Sequence, residues 1–389
     1  MEEFNYSSAS IDNTSTPSFS RAASNLDDRE AIIEALPFIP HGLDGGWFGK
    51  ISTTLILLFG TFGNVMIVII LRRLRSGWSA MNVYLTALAL SDTAMLYSGA
   101  LPMWARKVLD YDAYASHAVV CKLIVWVINI TATLSAWLLV ALTAQRAASV
   151  VWPHRVNVMC TRHKSVVTIL VITTVCTLLH SHTLYGVDVM TLGKGTTGKC
   201  TFGSVAYQRF WVSVWIRVNM VLYSILPCVC LILSNFVLGW KLAVAMKQAR
   251  EKFGTGRDGR NDSRQKKASS TTVTIIIVSV AFVVITLPFL IYSNLFYGYA
   301  NSQDAKTREL HFFLYDFFFV LGFANFAWNF YLYCLTGSRF REEFKKIVFG
   351  RCAPVTSAPE SACVTEGTRV SETENRGLKE SAMETDDGF

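Results

Sequence analysis

Charge is scarce in this sequence. Asp, Glu, Lys and Arg make up 16% of its 389 residues, against about 25% in an ordinary soluble protein. Other things are missing too. No Gly-rich phosphate loop, zinc signature or nucleophile elbow is present, so no catalytic constellation is expected. Met1–Leu36 holds no apolar stretch of signal-peptide type, so the first long apolar block is expected to serve as the targeting signal. The nine cysteines are an odd number and define no complete disulfide framework. His180 and His182 flank Ser181, and two histidines alone are too few for a metal site. The formal charge of +8 is basic, but the Lys and Arg lie between apolar blocks and not in a patch interleaved with aromatics. Nucleic acid is therefore not an expected partner.

What is abundant is apolar sequence, 52% of the chain, and it falls in seven blocks: Trp47–Leu71, Met81–Trp104, Ala118–Val140, Ser165–Leu184, Phe210–Leu238, Thr271–Leu295 and Phe312–Leu335. Each is long enough to cross about 30 Å of hydrocarbon as a helix. Barrel strands would alternate apolar and polar residues. Runs such as Ile51–Ile70 do not, so the expected fold is an all-α membrane protein, a bundle of seven transmembrane helices over 47–335.

Orientation follows from the loops. Segments 72–80, 146–164, 240–270 and 336–352 hold 21 Lys and Arg, and the alternate loops with their borders hold eight. The positive-inside rule then places the N-terminus outside and the C-terminus in the cytosol. Residues 1–46 have a net charge of −6 and read as a disordered extracellular leader, with glycosylation sequons at Asn5 and Asn13. After the last span, 336–352 contains an amphipathic segment with Phe340, Phe344, Ile347 and Val348 on one face, suited to lie on the inner leaflet. Cys352 behind it is a candidate for palmitoylation, and an unmodified thiol is an equal alternative. Residues 353–389 are Ser/Thr/Glu-rich and read as a disordered tail.

Polar residues inside the spans carry a resemblance. In order they are Gly63-Asn64-Val65; Leu88-Ala89-Leu90-Ser91-Asp92; Cys121 followed 25 residues later by Arg146, with Pro153 seven further on; Pro227; Pro288; and Asn325, Asn329 and Tyr333 ahead of the short helix. Over about 47–352 the chain resembles the rhodopsin-like (class A) G-protein-coupled receptors. The ending NFYLYCLTGSRFREEF looks like the invertebrate neuropeptide branch, including receptors for FMRFamide-like peptides. The resemblance implies a plasma-membrane receptor that binds an extracellular peptide and activates heterotrimeric G proteins. Arrestin and a receptor kinase are implied partners, through Thr365, Thr368, Ser371 and Thr373 among the tail's glutamates.

It also implies site residues. A disulfide Cys121–Cys200 would close a loop of about 80 residues, worth ~4–5 kcal/mol in the chain-entropy model. No tightly bound cofactor is implied. A sodium-and-water pocket is, at Asp92, Ser135, Asn325 and Asn329, because a charged Asp in mid-span needs a partner or a task; a plain interhelical hydrogen bond is the alternative. Gln145, Arg146, Asn329 and Tyr333 would couple to the G protein, and Pro227, Pro288 and Phe282 would act as hinges. From their place near the outer ends of the spans, Trp104, Trp126, Arg217, Tyr292, Phe296, Tyr315 and Asp316 are candidate ligand contacts; the alternatives are headgroup-level anchoring for the aromatics and pairing with neighbours for Arg217 and Asp316. Ile128 and Phe323 stand where amine receptors and opsins carry their Asp and Lys, which excludes both.

Several positions depart from the family pattern. Gln145 replaces the acid that usually holds the arginine, so a weaker resting lock is expected. Thr286 replaces the usual Trp, Phe330 the usual proline, and Asn235 the usual Tyr. These departures leave open a receptor that binds ligand yet couples poorly, acting as a scavenger or through arrestin.

Overall fold

The computed structural model describes residues 46–74, 79–190, 198–252, 272–289, 291–292 and 305–350. Asn5, Asn13, Phe296, Cys352 and the tail lie outside the described residues, as do the side chains of Tyr315 and Asp316. The chain forms a seven-helix bundle. α1 is Gly46–Arg73. α2 runs through Ala80–Met95, a wide π turn at Leu96–Ala100 and Leu101–Leu109. α3 is Ala118–Val151, α4 is Arg162–Gly186, α5 is Val205–Gln248 and α6 is Thr272–Phe289. α7 is a broken span, Ala305–Ala324 followed by Asn329–Thr336. α8, Ser338–Val348, packs beside it.

Five of these helices are long and apolar enough to cross a membrane, and the bent pair in α7 makes a sixth. α2 completes the seven with a continuous helical path. Helix starts are fixed by side-chain caps: Ser79, His117, Thr161 and Ser204 each accept a bond from an N–H of the turn that follows. Helices also overrun the apolar blocks. α3 continues past Val140 to Val151 and α5 begins at Val205, since helix formation needs propensity and caps, whereas hydropathy marks only the part suited to lipid.

Two π turns sit just ahead of prolines. Leu96–Ala100 precedes Pro102, and Val221–Ile225 precedes Pro227. In each, the residue closing the turn bonds a carbonyl five residues back, as Leu226 does to Val221, which displaces the hydrogen-bond ladder where a proline then removes a donor.

The core divides along the bundle axis. Toward α8, Ile70, Leu88, Leu138, Leu142, Leu231, Ile275, Phe282 and Tyr333 pack together, and α8 joins them through Phe340, tilted against Tyr333 at 5.3 Å, and Phe344, 5.4 Å from Phe330. Toward the opposite end, Leu96, Met103, Val125, Ile128, Phe319 and Phe323 form a second cluster. There an antiparallel hairpin, β1 Val187–Met190 and β2 Lys199–Phe202, lies across α3 with Val189 paired to Cys200.

Candidate functional site

At the hairpin end, Cys121 at the start of α3 is disulfide-bonded to Cys200 in β2, with Cα atoms 5.7 Å apart. Both are buried. Lys122 pairs with Asp188 of β1 at 3.3 Å, a second tie between α3 and the hairpin, half-exposed and of small weight. Tyr114, in the loop between α2 and α3, is buried beneath and donates to the Gly99 carbonyl at 3.4 Å. Burial pushes its phenol well above the ordinary range, so it is a neutral donor.

Val187 and Cys200 of the hairpin share a buried cluster with an aromatic region. Phe289 of α6 and Tyr292, three residues further on, meet Phe319 and Phe318 of α7 at 6.1 and 5.0 Å between ring centroids, and Ile128 and Phe323 are buried in the same cluster. The predicted ligand contacts divide here. Tyr292 is in this group. Trp104 is turned instead to α1, donating to Thr54 Oγ1 at 2.9 Å. The Trp126 indole N–H is buried with no partner among the described residues. Arg217 is exposed on α5, its guanidinium bonded to the Ser213 carbonyl of its own helix. Beside them, His182 bonds Tyr207 at 2.7 Å and sits edge-on to Trp215 at 4.1 Å, and His180 bonds Thr133 at 3.0 Å. No group of three metal-ligating side chains occurs among the described residues.

Midway down, Asp92 is fully buried. Ser135 donates to one carboxylate oxygen at 2.6 Å and Asn329 to the other at 2.7 Å, which ties α2, α3 and α7 at one point. Asn325 is expected in this group from its spacing, but its side chain makes no hydrogen bond to Asp92. It lies in the break of α7, where its backbone N–H turns back to Gly322.

That break bends α7 by 56° between Phe317–Ala324 and Asn329–Thr336, although Phe330 occupies the place of the usual proline. The bend has other supports. Asn64 of α1 donates to the Phe326 carbonyl at 3.1 Å, occupying an acceptor that the interrupted helix leaves open. Gly60 and Gly63 let α7 approach: a Cβ at Gly60 would stand 3.0 Å from that of Ala327, and one at Gly63 would stand 2.9 Å from that of Phe330.

Toward α8, Gln145 does not face Arg146. Its amide reaches Ser165 of α4 at 3.3 Å, and Arg146 contacts the Met81 sulfur on α2. Tyr333 is buried, with its hydroxyl lacking a partner among the described residues. Phe282 is buried in the core one turn and a half before Pro288. Three contacts are not foreseeable from sequence: Trp137 of α3 donates to the Leu222 carbonyl of α5 at 3.0 Å, Ser279 of α6 to Asn235 of α5 at 2.8 Å, and Thr336 of α7 to Thr274 of α6 at 2.9 Å. A mid-span side chain with a proton and no charge is the available signal for such residues, but it does not name the partner.

A seven-helix bundle with a hairpin clamped to its third helix and a buried Asp–Ser–Asn junction defines a class of membrane receptor. Residues 63–333 match the 7 transmembrane receptor (rhodopsin family), and the chain belongs to that family. It is similar to growth hormone secretagogue receptor type 1 of Sus scrofa, 25% identical over 82% of this chain and 84% of that protein, and to its counterpart in Mustela putorius furo, 24% identical over 83% and 86%. It is likewise similar to the human B1 bradykinin receptor, 24% identical over 79% of this chain and 83% of the relative. The chain is thus a receptor and not an enzyme.

Proposed function

We propose that the chain is a plasma-membrane receptor for an extracellular peptide, with the hairpin end outside and the α8 end facing a heterotrimeric G protein. The observation that carries this reading is the aromatic region that shares a buried cluster with the disulfide-clamped hairpin, in a chain of the rhodopsin family. Aromatic walls suit the Phe, Tyr or amidated ends of peptides, and cations can stack on them. Similar receptors are named for bradykinin, a peptide, and for growth hormone secretagogues. Ile128 removes the acid that would anchor a small amine. The leader's net charge of −6 favours a basic peptide, raising its association rate more than its final affinity. The ending NFYLYCLTGSRFREEF supports an FMRFamide-like ligand within this reading.

At Asp92 the donor set is one carboxylate with neutral hydroxyl and amide groups, which fits a monovalent cation. Asp92 and Ser135 would hold sodium, which would favour one receptor state by binding it better. Arrestin and a receptor kinase would act on the Ser/Thr-rich tail, and α8 would rest on inner-leaflet lipid.

The test is a library of short basic and amidated peptides applied to cells expressing the full chain, read by G-protein dissociation. A peptide hit whose association slows with added salt, and which loses that salt dependence when residues 1–40 are removed, supports the reading. A small amine as the only agonist overturns it. A peptide that binds and recruits arrestin without dissociating any G protein favours the poorly coupling alternative, to which Gln145 and Thr286 lend weight.

A further inference from the structure

Resting on the coupling reading above, the α8 end must separate its helices to admit a partner, and α6 has the structure of a moving part. Pro288 removes the hydrogen bond its own N–H would have made to the Val284 carbonyl, which loosens the helix above the segment that begins at Thr272. Below that point the contacts that hold α6 include apolar packing of Ile275, Val278 and Phe282 and these uncharged side-chain contacts. Thr336 at the end of α7 lies 2.9 Å from Thr274, and Ser279 lies 2.8 Å from Asn235 of α5.

Each contact has the same chemistry. A hydroxyl carries one proton. Thr336 has a second acceptor on its own helix, the Leu332 carbonyl at 2.6 Å, and Ser279 has the Ile275 carbonyl at 2.8 Å. When α6 moves away, both protons fall back to these local acceptors, so neither of them is stranded. An ion pair in this position would strand a charge on opening, at far greater cost. The α7–α8 elbow closes over the same spot: a Cβ at Gly337 would lie 3.7 Å from the Thr274 hydroxyl and 2.8 Å from the Tyr333 carbonyl.

We propose that Thr274–Thr336 and Ser279–Asn235 form a neutral, two-point latch that sets the resting position of α6. It takes the role that charge pairing at the Gln145 position does not fill, since Gln145 is engaged with Ser165. The latch residues are positioning residues; none is placed against ligand.

The experiment uses the full-length receptor with Thr274→Val, Thr336→Val and the double variant, which keep side-chain shape and remove the hydroxyls. Spin labels on unnatural residues at exposed Val158 and Ile277 report the separation of α6 from the inner loop in nanodiscs, and basal G-protein dissociation per surface receptor is measured in cells. Each single variant is expected to raise the outward population about fivefold, the worth of one ordinary hydrogen bond. The double variant is expected to fall well short of the sum of the singles, because the two hydroxyls share one contact. Ser279→Ala added to the double variant should give a further, independent shift. An unchanged distance distribution in both single variants, or effects of the two that simply add, overturns the latch. A distribution that shifts while basal signalling stays flat upholds the latch and refutes the coupling reading.

Discussion

Replacing Trp137 with phenylalanine keeps most of a ring in the α3–α5 contact and removes one N–H. The structure states what that N–H does. In the π turn Val221–Ile225, the Leu226 N–H is drawn to the Val221 carbonyl. The Leu222 carbonyl thereby loses its ordinary partner, and the donor that would serve it at the next position is absent because residue 227 is proline. The Trp137 indole fills the gap from α3 at 3.0 Å. Without it a carbonyl in mid-bundle has no donor, in surroundings where water is not at hand. Interhelical hydrogen bonds in membrane proteins average about 0.6 kcal/mol and reach about 1.7. Because this one satisfies a specific orphan, about 1–2 kcal/mol is expected, a fall in midpoint of roughly 2–5 °C. The assay is thermal unfolding of the ligand-free receptor in detergent with a thiol-reactive dye, for which Cys176 and Cys228 are buried reporters. The reasoning is tested in a second background, Pro227→Ala, where residue 227 regains an N–H. Trp137→Phe should cost distinctly less there. An equal loss in both backgrounds would mean that Trp137 contributes only its bulk, and the carbonyl argument would be wrong.

Three further outcomes follow from the site geometry. Asp92→Asn turns one acceptor oxygen into a donor facing Ser135 or Asn329, so it should lose about 1–3 kcal/mol of stability and abolish any sodium effect on agonist affinity; a sodium response equal to that of the unmodified receptor would remove Asp92 from the ion's site. Gln145→Glu removes the amide donor to Ser165 and supplies a carboxylate that can turn to Arg146, so it should lower basal signalling several-fold, as G-protein dissociation without agonist would record; no change in basal or agonist-driven signalling would show that the acid's absence is immaterial. Cys200→Ala should free the hairpin from α3 and sharply reduce surface expression or ligand binding, and normal values of both by flow cytometry and radioligand assay would contradict the clamping role.

Much of this architecture is legible in the sequence, for physical reasons that can be located. Lipid forces long apolar runs, so the spans are visible. It also penalises buried polar groups, so Asp92, Ser135 and Asn329 stand out against the apolar residues around them. Other facts are not legible. Gln145 announces a missing charge, but its bond to Ser165 depends on which face α4 turns toward α3, and a nearly all-apolar helix carries little record of its rotation. Trp104 has the composition of a ligand contact, and only the packing reveals that its N–H is spent on Thr54. Asn325 groups with Asp92 on spacing because it lies one helical turn before Asn329; the interruption of α7 between them breaks that periodicity. The π turns escape for a related reason, since a single wide turn alters register without altering composition.

The interruption of α7 has a consequence for how the receptor can change shape. A proline kink is covalent: its missing N–H cannot be restored, and the helix stays weakened in every state. Here the chain at 325–328 has all its backbone protons. Its own N–H groups at 325–327 close short turns onto the carbonyls three residues back, and neighbours support the bend: the Asn64 amide on the Phe326 carbonyl, the Asn329 bond to Asp92, and the space ceded by Gly60 and Gly63. With those supports withdrawn, no missing donor prevents the segment from exchanging its short turns for regular helical bonds. The curvature of α7 is thus shared between its own turns and its contacts to α1 and α2, where a proline would have fixed it by covalent structure alone.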